Sequence, residues 1–285
     1  MDVVARSLVA EVPPVSSIPG WDVVTILVTV KAYPAIARQS GESVCVAGVR
    51  LDTDRPEWIR LFPVGFRDLP RDRQFEKYQV VRLRVRRGSS DRRPESYKPD
   101  LNSLVLGPTV ATDHAWRRRW DLLDSLAGAT TTCDLVAASR ERGQSAPSLG
   151  LVKPVVHDIE VADNPDYRTG AATQVDVDLF GEERDVLEAT PFLVHYRYSC
   201  AATECPGHRQ SIIDWESGQF ARRNLERGVR VARERHRAKF LEQLCGPDRD
   251  AYFYVGNQHQ HPGSYLVLGV FWPPAGSRPQ PTFTW

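Results

Sequence analysis

The chain has 285 residues, 41% of them hydrophobic, enough to build a large core without staples, and its formal net charge of +1 excludes attraction to a polyanion through total charge alone. Five scattered cysteines, Cys45, Cys133, Cys200, Cys205 and Cys245, are an odd number and exclude a disulfide framework. No run of 18 apolar residues occurs, and the early acid and prolines of "MDVVARSLVAEVPPVSSIPG" do not make a signal peptide, so a cytoplasmic setting with no membrane partner is expected.

Residues 1–20 read as a flexible or loosely docked arm, because Pro13-Pro14 and Pro19-Gly20 interrupt any regular pattern. Residues 21–110 form a β-rich, basic half. "DVVTILVTVKAYP", "ESVCVAGVRL", "EWIRLFPV" and "YQVVRLRVRR" are short runs of β-branched and aromatic residues closed by Pro, Gly or charge, which predicts an antiparallel, β-barrel-like and possibly OB-like unit. Arg55 to Lys98 holds thirteen Lys/Arg against six Asp/Glu. In "VVRLRVRR" the period of two sends Val81, Leu83 and Val85 to one face and Arg82, Arg84 and Arg86 to the other, a row of guanidiniums suited to phosphates. Arg92, Arg93 and Lys98 follow, with Tyr97 available to stack on a base. Arg60, between Trp58 and Phe62 in "WIRLF", adds a cation to an aromatic strand face. The competing reading is a solvated face whose arginines pair with local carboxylates, or a core Trp and Phe with the arginine at a rim.

Residues 111–285 read as an α/β half, packed with the first half in one integrated α+β protein. A helix is expected from about His114 to Leu126, capped by Asp113. The segment from about 163 to 188 is an acidic surface loop, within a stretch that carries ten carboxylates and two arginines from His157 to Glu188. It can mask the arginine face or dock on a protein partner. The longest helical pattern starts at "IIDWESGQF" and runs to Leu244, with breaks suggested by Gly218 and Gly228. Two strands close the chain around the loop "GNQHQHPGS", whose His259 and His261 share a face if extended.

Between them lies "YSCAATECPGH". Cys200, Cys205 and His208 are two soft ligands and one borderline ligand on a tight turn, the pattern of a zinc knuckle that needs a fourth ligand. Candidates are Cys245, His195, His259 and His261. The offset of five from His195 to Cys200 puts the two on opposite faces of an ideal strand, and Cys245 requires the long helix to fold back. Asp214 and Glu216 in "IIDWE" are candidate catalytic carboxylates if the metal keeps an open position, and a helix cap with its first-turn acid if it does not. No companion motif of a nuclease, deaminase or nucleotide-binding loop is found.

The segments "VTVKAYP", "RPESYKP", "SLGLVKP", "YSCAATECPGH", "IIDWE", "YFYVGNQH" and "LVLGVFWPP" together resemble an uncharacterised family of prokaryotic proteins, from about Val23 to Pro274. The resemblance implies one integrated unit in a bacterial cytoplasm and assigns no catalytic residue. The expected function is nucleic-acid binding through the arginine-faced strand, beside a zinc site. The alternatives are a zinc-dependent enzyme acting on nucleic acid or nucleotides, and an adaptor that meets a protein partner through its acidic loop.

Overall fold

Alternating β-branched residues close the N-terminal half into a barrel. The computed structural model describes residues 3–33, 35–37, 41–167, 176–177, 183–184 and 189–280. A helix, α1 (Val3–Glu11), is followed by β1 (Asp22–Lys31), the short β2 (Ala35–Ala37), β3 (Gly41–Arg50), β4 (Glu57–Val64), β5 (Gln79–Arg86) and β6 (Ser96–Thr109). β1 pairs antiparallel with β3 and β5, β3 with β4, and β5 with β6. One parallel pairing, Arg60 opposite Ser96, joins β4 to β6 and completes the ring. This closed five-stranded barrel is OB-like. Val24, Ile26, Val28, Val46, Ile59, Leu61, Val81, Leu83 and Val85 fill its interior, so Arg82, Arg84 and Arg86 fall on the outside of β5, as the period of two requires.

The second half begins with α2 (Asp113–Leu123) and α3 (Thr132–Arg142), then β7 (Leu149–Val152), β8 (Pro154–Asp163), β9 (Asp176–Val177), β10 (Glu183–Arg184), β11 (Phe192–Cys200) and β12 (His208–Ser211). It ends with α4 (Trp215–Leu225), α5 (Val229–Arg237), β13 (Tyr252–Asn257) and β14 (Tyr265–Phe271). One three-stranded sheet has the order β14-β13-β7 and another β12-β11-β8. Every residue of β13 is buried, because both faces of its sheet are covered. Tyr252 and Tyr254 pack towards α1, α2 and the outside of the barrel, with the Tyr254 ring edge-on to Trp58 at 6.2 Å. Phe253 and Val255 pack the other way, against Tyr196, Tyr198 and the helices α4 and α5.

The structure refines three expectations. The N-terminal arm is helical and docked, since Ala5, Leu8 and Val12 form a short apolar stripe buried against Val80 and Val110. The helix expected from His114 with Asp113 as its cap instead begins at Asp113, after a Thr112 whose side chain makes no capping bond, and its first turn, His114 to Trp116, is left-handed (φ 46°, 54° and 67°), which seats Trp116 against Phe271 and Trp272. The long helix divides at Gly228, whose φ of 93° suits only glycine, into α4 and α5, and α5 continues as a π-helical turn over Ala238–Gln243. Gly218 stays inside α4, where an added Cβ would meet the Tyr33 ring at 2.9 Å. Most of the acidic segment from 163 to 188 lies outside the described residues. Among the described residues no helix is long and apolar enough to cross a membrane.

Candidate metal centre

β11 ends at Cys200, and the turn that follows returns through Cys205 and Gly207 to His208, the first residue of β12. Gly207 supplies the left-handed turn (φ 83°). The Cys200 backbone N–H donates to Cys205 Sγ at 3.3 Å, and the two sulfurs lie 3.6 Å apart. His208 Nε2 is 3.4 Å from Cys200 Sγ and 3.2 Å from Cys205 Sγ. β11 and β12 pair Tyr198 with His208, and the two rings are 5.0 Å apart.

The fourth member of the group is Cys133. It is the second residue of α3, whose start is fixed by a capping box in which Thr131 and Asp134 exchange backbone and side-chain hydrogen bonds. The Thr132 hydroxyl meets the Tyr198 hydroxyl at 2.7 Å, so the helix end is tied to the strand that carries the knuckle. Cys133 Sγ lies 3.6 Å from His208 Nε2, and the donor atoms of Cys133, Cys200, Cys205 and His208 all fall within 4.8 Å of one another. Three thiols and an imidazole converging in this way can hold a metal ion.

The electrostatics point the same way. Burial pushes the Cys200 thiol up, but hydrogen bonds from the backbone at Ala202 and Cys133 and from His208 outweigh it and bring it down to about 6. Burial, with the Cys200 and Cys205 sulfurs alongside, pushes Cys133 up to about 12. A thiol inclined to ionise at Cys200 thus sits beside one at Cys133 that resists it, a conflict that a bound cation removes.

The fourth member of the group is therefore none of the candidates that the sequence offered. His195 lies on the outward face of β11, opposite Ser211 and Glu160, as its odd offset from Cys200 dictates. Cys245 does fold back, but onto the Tyr196 hydroxyl, 3.9 Å from its sulfur. His259 lies beside Asp91, its Nδ1 3.5 Å from a carboxylate oxygen, and His261 does not join the group. No short spacing marks Cys133, which is separated from Cys200 by most of α3 and by strands β7 to β11.

Asp214 and Glu216 serve a different element. Asp214 is buried, caps α4 by accepting from the Glu216 backbone N–H at 3.1 Å, and receives Lys77 Nζ at 2.7 and 2.8 Å. Glu216 is exposed and lies 3.3 Å from the same lysine. Burial penalises the Lys77 cation, but Asp214 and Glu216 more than offset this and raise its pKa. The two carboxylates thus join the barrel to the second half through Lys77, and neither belongs to the Cys/His group.

The basic residues separate into three environments. Arg60 and Arg93 are buried. Arg60 donates to the Ser148 carbonyl at 3.0 Å and to Cys45 Sγ at 3.1 Å, and Arg93 pairs with Asp91 at 2.7 Å while donating to the Asn257 carbonyl at 3.1 Å. Arg82 and Arg84 are half-buried beneath the N-terminal segment. Arg82 donates to the Val9 carbonyl at 2.7 Å and the Pro13 carbonyl at 3.0 Å; Arg84 pairs with Asp100 at 2.7 Å and reaches the Ser16 carbonyl at 3.2 Å. Arg86, Arg92 and Lys98 are exposed at the β5–β6 junction. Arg86 lies over the Trp21 ring and Arg87 over Tyr97, 4.7 and 4.1 Å from the ring centroids.

The fold and the cysteine group define a two-part α+β protein, an OB-like barrel backed by a half that can hold a metal ion. The model described as "Domain of unknown function (DUF8757)" matches residues 128–284 and that described as "Domain of unknown function (DUF8758)" matches residues 22–125; the chain belongs to the DUF8757 family, whose model spans more than half of it. No curated protein matches the chain. Among solved structures it is similar to one described as "Structure of murine DNA binding protein bound with ds DNA", at 8% identity over 89% of this chain and 98% of that one, with a TM-score of 0.29. It is also similar to "Structure and Conformational Change of a Replication Protein A Heterotrimer Bound to ssDNA", at 10% identity over 92% of this chain and 66% of that one, with a TM-score of 0.22. At those TM-scores neither likeness bears on what this chain does.

Proposed function

We propose that the protein binds nucleic acid through the β5–β6 junction of its barrel, and that a structural zinc ion in the second half holds α3 against the knuckle. The observation that carries the reading is the cluster of exposed Arg86, Arg87, Arg92 and Lys98, with Tyr97 at its base, on the loop joining the fourth and fifth barrel strands. OB-like barrels use that loop, together with the face of the second and third strands, to hold oligonucleotides. Here the strand face is closed, because Trp58 and Arg60 are packed under Tyr254 and Ser148. Contact is therefore confined to the junction and is dominated by phosphates, with Tyr97 as a stacking platform.

Zinc is the metal that the donor set favours. Bonds of about 2.3 Å to sulfur and about 2.0 Å to nitrogen in a tetrahedron place two sulfurs about 3.8 Å apart and sulfur about 3.5 Å from nitrogen. The separation of 3.6 Å between the Cys200 and Cys205 sulfurs and those of 3.2 to 3.6 Å from the three sulfurs to the His208 nitrogen lie close to that. Four protein ligands leave no position for water, so the ion fixes structure and activates no nucleophile.

The test is fluorescence anisotropy with labelled single-stranded and duplex DNA and RNA, comparing the wild type with R92E/K98E. Four phosphate contacts predict that log K falls with log salt at a slope of about −3 to −4, and that the double reversal weakens all sequences alike. Binding that ignores both salt and the reversal would remove the junction from the interface.

A further inference from the structure

Three of the five thiols converge at the knuckle, and two of them are held differently from the third. Cys133 is fixed by the capping box of α3 and by the bond between the Thr132 and Tyr198 hydroxyls. Cys200 and Cys205 stand instead at the two ends of one short turn, in which Ala201, Thr203 and Glu204 are exposed. Their sulfurs are 3.6 Å apart, and the Cys200 backbone N–H donates to Cys205 Sγ at 3.3 Å. A disulfide brings two sulfurs to about 2.05 Å and forms where the backbone can follow them. Here a further approach of roughly 1.5 Å is needed, and the exposed turn between the two residues can supply it.

A small oxidant can reach the pair. Cys200 is buried, but Cys205 is half-buried, and a groove of about 680 Å³ lined by Tyr198, Pro206, Gly207 and His208 runs along the same hairpin. Nothing lies within 4 Å of the point where a Cβ on Gly207 would be, so the turn is open on that side. The other two thiols stand apart from the group: Cys45 accepts from Arg60, and Cys245 lies against the Tyr196 hydroxyl. A thiol with a second one at contact distance has a reversible product of oxidation that an isolated thiol lacks.

We propose that Cys200 and Cys205 form a reversible disulfide on exposure to a hydroperoxide, and that its formation expels the metal that ties α3 to the knuckle. The Cys205 sulfur attacks the outer oxygen of the hydroperoxide, the O–O bond breaks, and Cys205 becomes a sulfenic acid while the oxidant is reduced to an alcohol, or to water from hydrogen peroxide. The Cys200 sulfur then attacks that of Cys205, and the sulfenic hydroxyl leaves as water. The two sulfurs give up two electrons in all; in the metal-free chain the thiols supply both protons, and with zinc bound, where the sulfurs are thiolates, solvent supplies them. The expulsion rests on the proposed zinc site, since the disulfide would leave Cys133 and His208 as its remaining ligands, too few to close a tetrahedron. The pairing of the two sulfurs needs no metal.

The test treats the full-length protein with hydrogen peroxide, as purified and after metal removal with a chelator. Remaining thiols are alkylated, the peptides are mapped by mass spectrometry, and released zinc is followed with a colorimetric chelator. The expected result is a link between Cys200 and Cys205 in both samples, about one zinc released per disulfide, and recovery of both thiols on treatment with a dithiol. C245S changes the rate of linkage by less than about twofold. Protein that is metal-free as purified removes the zinc site, and with it the expulsion, while the mapping still decides whether the two sulfurs pair. The proposal is overturned if both thiols remain open to alkylation after oxidation, if they pass to sulfinic acids with no link, if the link that forms is to Cys133 or Cys245, or if zinc stays bound once Cys200 and Cys205 are joined.

Discussion

Cys133 and His208 are separated by 75 positions in the chain, yet the thiol of the one lies 3.6 Å from Nε2 of the other, because a capped helix end is tied to β11 by the hydroxyls of Thr132 and Tyr198. A metal bound there links α3 to the β11–β12 hairpin and closes one end of the core that holds Tyr198 and Phe253.

Removing the proposed zinc is expected to loosen the second half. Incubation with a strong chelator is expected to lower the melting temperature by about 10 °C or more, since loss of several kcal/mol of metal-linked stability shifts a domain of this size by roughly 2–4 °C per kcal/mol. Differential scanning calorimetry checks this, and restoring zinc returns the original transition.

The Lys77–Asp214 pair is expected to act on stability. K77M leaves Asp214 buried without its cation and is expected to cost about 3–5 kcal/mol, whereas K77M/D214L, which removes both charges, costs less than the sum of the single changes. Urea denaturation of the set measures the coupling, and strict additivity would show that the two residues do not interact.

His236 makes stability depend on pH. Burial lowers its pKa from the model-peptide value of 6.5 to about 4 in the folded chain. Between those values the unfolded chain takes up the proton and the folded chain does not. Stability is therefore highest above pH 6.5, falls as the pH drops towards 4, and loses about 3 kcal/mol over the window. The urea midpoint of H236F is expected to vary much less between pH 7 and pH 4.5.

Arg60 and Arg92 should behave oppositely despite their like charge. R60M removes the donor to the Ser148 carbonyl and Cys45 and is expected to lower stability by about 2–3 kcal/mol while leaving oligonucleotide affinity of the folded protein unchanged. R92E is expected to lower affinity several-fold with stability nearly unaltered. Paired unfolding and anisotropy measurements separate the two effects.

What the sequence revealed follows from the range of the interactions. The barrel was legible because its interior alternation is local: Val81, Leu83 and Val85 declare a strand face by themselves. Cys200, Cys205 and His208 were legible as a group because a single turn brings them together, and Asp214 declared itself a cap by standing just before a helical run. Cys133 was hidden because only the tertiary packing of α3 on β11 brings it near. The environments of the arginines were equally hidden. Which faces of β4 and β5 meet solvent is decided by α1 and by the β14-β13-β7 sheet, and no spacing within "WIRLF" or "VVRLRVRR" records that Tyr254 covers one and the Val9 carbonyl meets the other.

The most direct test of the four-residue centre is metal analysis of protein purified without added metal or a metal-affinity tag, with C133S and C245S beside the wild type. About one zinc per chain in the wild type and in C245S, lost or sharply reduced in C133S, is the predicted result. Metal-free wild-type protein, or zinc retained in C133S and lost in C245S, would contradict it.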